Sequence, residues 1–330
     1  MFVKDVYAIS PQLTHDLSFE SGDFQVHESG KMLAFEPNYL DLIPAGLLRR
    51  MGKAVRMGIG AGLPLIQRNS VFDGIIIGTA NGGLEDCVKF LNQIVEYKEG
   101  VLTPTNFVQS TPNALAGQLA LMSKNCGYNN THVNGSLAFE NSIIDAELFF
   151  ESSSESKHIL LGAVEEISDY YYNIDFQAGR FKTEKITNEN FITSNSPGSI
   201  CGEGATFFAV SNDPKNALAE LVDTFIFTYT TPNETLGLID VFLSKNGILT
   251  SEIDCFIVGN NGDNRSDYWY NKLIESKFSH SQPIYYKKYC GDYRTSSAFA
   301  SYLGVKILSN AIHLKDENEK KVKEVFSIKR

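Results

Sequence analysis

The chain has 330 residues, 43% of them hydrophobic and 21% charged, and a protein near that length buries roughly 75% of its unfolded surface, so a large core is available. Its formal charge of −10, with Lys and Arg scattered along the sequence, leaves no concentrated basic face for a nucleic-acid backbone. The cysteines (Cys87, Cys126, Cys201, Cys255, Cys290) occur singly, and the histidines (His15, His27, His132, His158, His280, His313) fall in no HExxH-type pattern, which disfavours a disulfide framework, structural zinc, any other metal site and a cofactor.

The opening MFVKDVYAIS alternates like a strand rather than a signal peptide, and no apolar run approaches the roughly 18 residues that span a bilayer; a cytoplasmic protein without a membrane span is expected. Residues 72–78 form a β-branched run that reads as a buried strand and leads through FDGIIIGTANGGLED into a Gly-rich turn. A dinucleotide site would share that outline, but Gly78, Gly82 and Gly83 do not space as GxGxxG. They are read as glycines that let the chain turn tightly beneath the active-site face.

Residues 112–124 have helical period, with Leu115, Leu119 and Met122 at i, i+4 and i+7, Ser110 and Thr111 placed to cap, Pro112 in the first turn and Gly127 as the stop. Residues 136–150 and 295–311 are helices that carry small residues where a surface helix would be charged, so both are expected in the middle of the protein. Residues 158–164 and 253–259 read as further buried strands. Each small-residue helix follows a strand and a Gly-containing turn, and no Pro/Gly/Ser-rich linker divides the chain. One compact α/β body built from two similar βα halves is expected.

The stretch LTPTNFVQSTPNALAGQLALMSKNCGYNNTHVNGSLAFENSIIDA, residues 102–146, resembles the β-ketoacyl synthase branch of the thiolase superfamily: a Pro–x–x–Phe, Ser–Thr, Asn and Ala–Gly helix, then a strand leading into the nucleophile turn. HILLGAVEE (158–166) is similar to the family's Leu–x–Gly–x–x–Glu strand, and Cys201-Gly202-Glu203-Gly204-Ala205 to its Gly–Glu–Gly–Ala segment. The likeness continues more weakly through IDCFIVGNNGDNRSD and YYKKYCGDYRTSSAFA. It implies a thiolase-like fold, a five-layer αβαβα sandwich, with an N-terminal half at 1–205 and a C-terminal half at 206–330 that is shortened at its end.

The resemblance also locates what this chain lacks. The family's nucleophilic cysteine, at the start of a buried helix, is matched by Ser136, a far weaker nucleophile without a base. Its two histidines are matched by Gly259, or the neighbouring Asn260, and by Asp292. An ionised Asp292 would repel a malonyl carboxylate by about 4 kcal/mol at ~4 Å and an effective dielectric near 20. The lysine before the second histidine is matched by Lys287, whose plainer reading is a partner for Asp292 or Glu203. The final Gly–Phe–Gly–Gly loop is absent, and the chain ends in the charged DENEKKVKEVFSIKR with a strand-like tail.

Four departures in four catalytic elements imply a non-catalytic, chain-length-factor-like subunit. It would pair with an active ketosynthase in polyene, polyketide or specialised fatty acid synthesis and meet acyl carrier protein only indirectly. By that resemblance residues 129–134 lie at the dimer interface, and Phe107, Leu115, Gln118, Leu119 and Phe139 line or stop the acyl tunnel; the plainer reading of each is core packing. The alternative is a serine-dependent acyltransferase using Ser136. His132, about 13 Å away by strand spacing, is a poor base for it, and Ser136 otherwise reads as a helix cap.

Overall fold

The computed structural model describes residues 1–69, 71–227, 231–309 and 311–312, together with the backbone of 325–328. In chain order, β1 (Phe2–Ile9), β2 (Lys31–Met32), α1 (Ala45–Leu48), α2 (Lys53–Arg68), β3 (Gly74–Gly78), α3 (Leu84–Glu96), α4 (Pro104–Gln109), α5 (Ala114–Ser123), β4 (Tyr128–His132), α6 (Ala138–Glu151), β5 (His158–Glu165) and α7 (Asp169–Gln177) come first. Then follow β6 (Cys201–Gly202), β7 (Gly204–Ser211), β8 (Ala219–Glu220), α8 (Pro232–Lys245), β9 (Cys255–Val258), α9 (Asn264–Lys277), β10 (Gln282–Tyr285), α10 (Lys287–Cys290), α11 (Ser297–Leu308) and β11 (Val325–Ile328).

A six-stranded sheet runs β4-β3-β5-β7-β1-β8, with β3 parallel to β4 and β5, and β7 antiparallel to β5 and β1. A parallel sheet runs β10-β9-β11. Alternation decides which core each strand face joins. Ile75 and Ile77 of β3 pack with Leu115 and Leu119 of α5 and Met57 of α2, whereas Ile76 packs with Phe139 of α6. Likewise Cys255 and Ile257 of β9 enter the central core with Phe299 and Leu303 of α11, and Phe256 and Val258 face Trp269 and Leu273 of α9 and Ile239 of α8. The layers are therefore α2/α5, sheet, α6/α11, sheet, α8/α9: the αβαβα sandwich expected, with the two small-residue helices in its middle layer.

Strand β7 starts at Gly204 and fills the centre of the six-stranded sheet, and β8 closes that sheet's far edge. Several local expectations need correcting. Helix α5 starts at Ala114; Ser110 and Thr111 hydroxyls donate backward to Phe107 and Val108 carbonyls instead of capping it. It ends at Lys124 in a left-handed conformation (φ 54°), three residues before Gly127. Leu137, not Ser136, is the cap residue of α6, and Ser136 lies in a 3₁₀ turn, Gly135–Leu137. The charged run at 316–324 lies outside the described residues, and the tail forms β11 beside β9.

Candidate functional site

Ser136, Lys287 and Asp292 come together. They line a cavity of about 280 Å³ at the carboxyl ends of the parallel strands of both sheets, the usual place for a site in an α/β sandwich. Ser136 arrives on the turn after β4, begun by Gly135 at φ +54°. Lys287 is the first residue of α10, directly after β10, and Asp292 follows α10. Gly259 and Asn260 are buried after β9, with Asn260 bonded to Asn271 at 3.2 Å; the cavity wall is formed by Asn261, one residue further on.

Three of the cations lining this cavity are paired with carboxylates. Lys287 Nζ lies 2.8 Å from Asp292 Oδ1, and Asn261 Nδ2 donates to Asp292 Oδ2 at 2.9 Å. Burial pulls the Lys287 ammonium toward neutrality, but Asp292, with Tyr286 and Tyr270, outweighs it and raises the pKa above the ordinary value. Lys287 thus pairs with Asp292 rather than Glu203, whose carboxylate is bonded by Lys53, Ala34 N and Ile167 N. The ion pair screens the repulsion that a lone Asp292 would exert on an incoming carboxylate. At this position an incoming anion meets a cation that is already used. Arg265 pairs with Asp263 at 2.6 Å and Arg180 with Asp175 at 3.2 Å on the same walls.

His132, the base weighed for Ser136, is turned elsewhere. His132 Nε2 lies 2.8 Å from Asp145 Oδ2 on α6 and close to Asn130, and His132 is outside the cavity lining. Cys201 does line it, but burial, then Asp292 and Glu203, push its thiol well above the usual range, so it stays protonated. Sequence reasoning missed Asn261, Cys201, Tyr171 and Arg294 as wall residues; Arg294 donates to the Tyr171 hydroxyl at 2.8 Å. Asn261 sits in the weakly matching Asn-Asn-Gly run, which was the available signal. Among the described residues no group of three or more His, Cys, Asp or Glu could hold a metal ion. No helix among them is long and apolar enough to cross a membrane.

The tunnel candidates lie elsewhere. Leu115 and Leu119 are buried against α2, and Phe139 is buried with its ring stacked on Phe208 at 5.8 Å. Gln118 is half-buried, and Phe107 is 55% exposed with its ring 5.4 Å from Phe90. Gly83 takes φ +71° at the start of α3, which is the tight turn expected of the 78–83 glycines, and Asn81 from the same turn lines the cavity.

A second surface stands apart from the cavity. Among the described residues β4 pairs on one side only, with β3, and it carries neither Pro nor Lys to block its free edge. Around it Leu121, Val133, Leu137 and Leu148 are exposed by 75%, 49%, 40% and 59%, an amount of apolar surface that an isolated chain would gain by covering.

Residues 26–182 match the family model described as beta-ketoacyl synthase, N-terminal domain. The chain has the β-ketoacyl synthase fold. A β-ketoacyl synthase from Burkholderia phymatum STM815 superposes on this ketosynthase fold with a TM-score of 0.72 at 15% identity, over 94% of this chain and 86% of that one. The ishigamide ketosynthase/chain length factor gives 0.72 at 14% identity, over 93% and 85%. A type II polyketide acyl carrier protein complex with its hexaketide-bound ketosynthase gives 0.70 at 18%, over 95% and 92%. A search of curated proteins found no match.

Proposed function

We propose that this chain is a non-catalytic ketosynthase-like subunit that pairs with an active β-ketoacyl-acyl-carrier-protein synthase and shapes its acyl tunnel, as a chain-length factor does. The observation that carries the reading is the Lys287–Asp292 ion pair in the cavity. Where the resemblance calls for a neutral hydrogen-bond donor to a malonyl thioester, this chain has a carboxylate whose two oxygens are already bonded. Ser136 in the nucleophile position, with His132 committed to Asp145, points the same way and weighs against a serine acyltransferase.

The β4 edge and its exposed apolar neighbours are the surface that the partner would cover, continuing the sheet by strand pairing. In that arrangement Phe107 and Gln118 would reach the shared tunnel from the surface, and Leu115, Leu119 and Phe139 would set its wall from behind. Carrier protein, being acidic, would dock on the partner, because a chain of net charge −10 repels rather than steers it. The product is a polyene, a polyketide or a specialised fatty acid. Co-expression with a ketosynthase that keeps its Cys and His residues is the test. A stable one-to-one complex that elongates acyl chains only as the pair is expected, and elongation by this chain alone contradicts the reading.

A further inference from the structure

The pair that closes the cavity is built like a ligand complex. Asp292 presents one oxygen to Lys287 Nζ at 2.8 Å and the other to Asn261 Nδ2 at 2.9 Å, so each oxygen meets its own donor. Both residues line the cavity, the lysine side chain only 5% exposed and the aspartate 27%.

The Asn261 side chain and the Lys287 backbone are held by groups other than Asp292. The Asn261 amide N–H donates to Asp267 Oδ1 at 3.0 Å, and its side-chain Oδ1 accepts from Asp263 N at 3.2 Å, both at the start of α9. The Lys287 backbone is fixed in α10, where its carbonyl accepts from Gly291 N at 2.8 Å. The occupant is fixed just as firmly by its backbone. Asp292 N donates to Ile200 O at 2.8 Å and its carbonyl accepts from Gly202 N at 3.2 Å. Gly291 before it takes φ +72°, with no room for a Cβ beside Gly202 Cα at 2.7 Å. Removing the Asp292 side chain therefore leaves the Asn261 amide and the anchored Lys287 on the wall of a cavity of about 280 Å³, room enough for a small carboxylate.

We propose that Lys287 and Asn261 form a carboxylate-binding subsite and that Asp292 is its built-in occupant, so that a free monocarboxylate enters only when Asp292 is removed. This deepens the reading of the cavity given under Proposed function. It rests on the ion pair and is tested on the chain alone, so its failure leaves the partner reading to be judged by co-expression.

The experiment follows the thermal midpoint of the wild type, Asp292→Ala and Asp292→Ser in acetate against chloride at constant ionic strength. The wild type should not distinguish the two salts. Both variants should gain roughly 2–4 °C, saturably, in acetate only, and adding Lys287→Met should abolish the gain. A variant that folds in acetate but not in chloride is the same positive result. An equal gain in chloride, a gain in the wild type, a gain that survives Lys287→Met, or variants that fold in neither salt overturn the proposal.

Discussion

The cavity and the β4 strand both carry polar side chains, yet they are finished in opposite ways. In the cavity Lys287, Arg265 and Arg180 each have a carboxylate within 3.2 Å, and the thiol of Cys201 is held protonated. At β4 the side chains are satisfied inward, Tyr128, Asn130 and His132 all on Asp145, Asn129 on the Ala116 carbonyl and Thr131 on Asn113, while the backbone edge has no strand partner among the described residues. A catalytic cavity keeps at least one strong donor or base uncommitted for its substrate, and a self-contained surface blocks its strand edge. The pairing of Lys287, Arg265 and Arg180 and the open edge of β4 are the contrast on which the proposed partner role rests.

The largest effect should come from the core that separates the two regions. Phe139→Ala removes a buried ring stacked on Phe208 and should lower stability by about 3–5 kcal/mol in urea denaturation. If the site also backs the partner's tunnel, the co-expressed pair should make longer products, and unchanged product length would sever the packing at Phe139 from chain-length control. Next, Leu121→Glu with Leu137→Glu puts charge on exposed apolar positions beside β4. Association with the ketosynthase should weaken roughly 10–100-fold by calorimetry, or about 1.4–2.8 kcal/mol, while the stability of the free chain moves within about 0.5 kcal/mol. Unaltered affinity would mean that the partner sits elsewhere.

A smaller effect tests the cost of burying a carboxylate with one oxygen left without a hydrogen bond. Asp86, 7% exposed in the first turn of α3, has a carboxylate oxygen with no hydrogen-bond partner, and burial raises its pKa despite Lys89 nearby. A carboxyl raised in the fold binds its proton more tightly there than in the unfolded chain. Stability should therefore fall as pH climbs from the ordinary carboxylate value through the raised one. Asp86→Asn should abolish that fall and add on the order of 1 kcal/mol at neutral pH, measured by urea midpoints across pH 3–7. A wild-type midpoint that rises through this window by as much as the variant's would contradict it.

Much of this architecture was legible in the sequence because burial on both faces leaves β-branched runs: residues 72–78, 158–164 and 253–259 became β3, β5 and β9 within a few residues. The small residues of 136–150 and 295–311 pointed to the middle layer for the same reason. The caps were less legible, since Ser110 and Thr111 turn back onto α4 carbonyls instead of forward onto α5. The Gly-Glu-Gly-Ala segment reads in the sequence as a boundary between halves, and only tertiary pairing shows β7 lodged between β5 and β1. In the site, segment order led to Ser136, Lys287 and Asp292. Asn261 and Tyr171 reach the cavity through the packing of α9 and α7, which no local spacing encodes.

The central claim, that the cavity performs no acyl chemistry, is tested most directly by intact-mass spectrometry of the isolated chain after incubation with acyl and malonyl carrier protein. An unmodified mass and undiminished malonyl carrier protein are predicted, with Ser136→Ala leaving the turnover of the reconstituted pair nearly unchanged. A stable acyl adduct on Ser136 would contradict it.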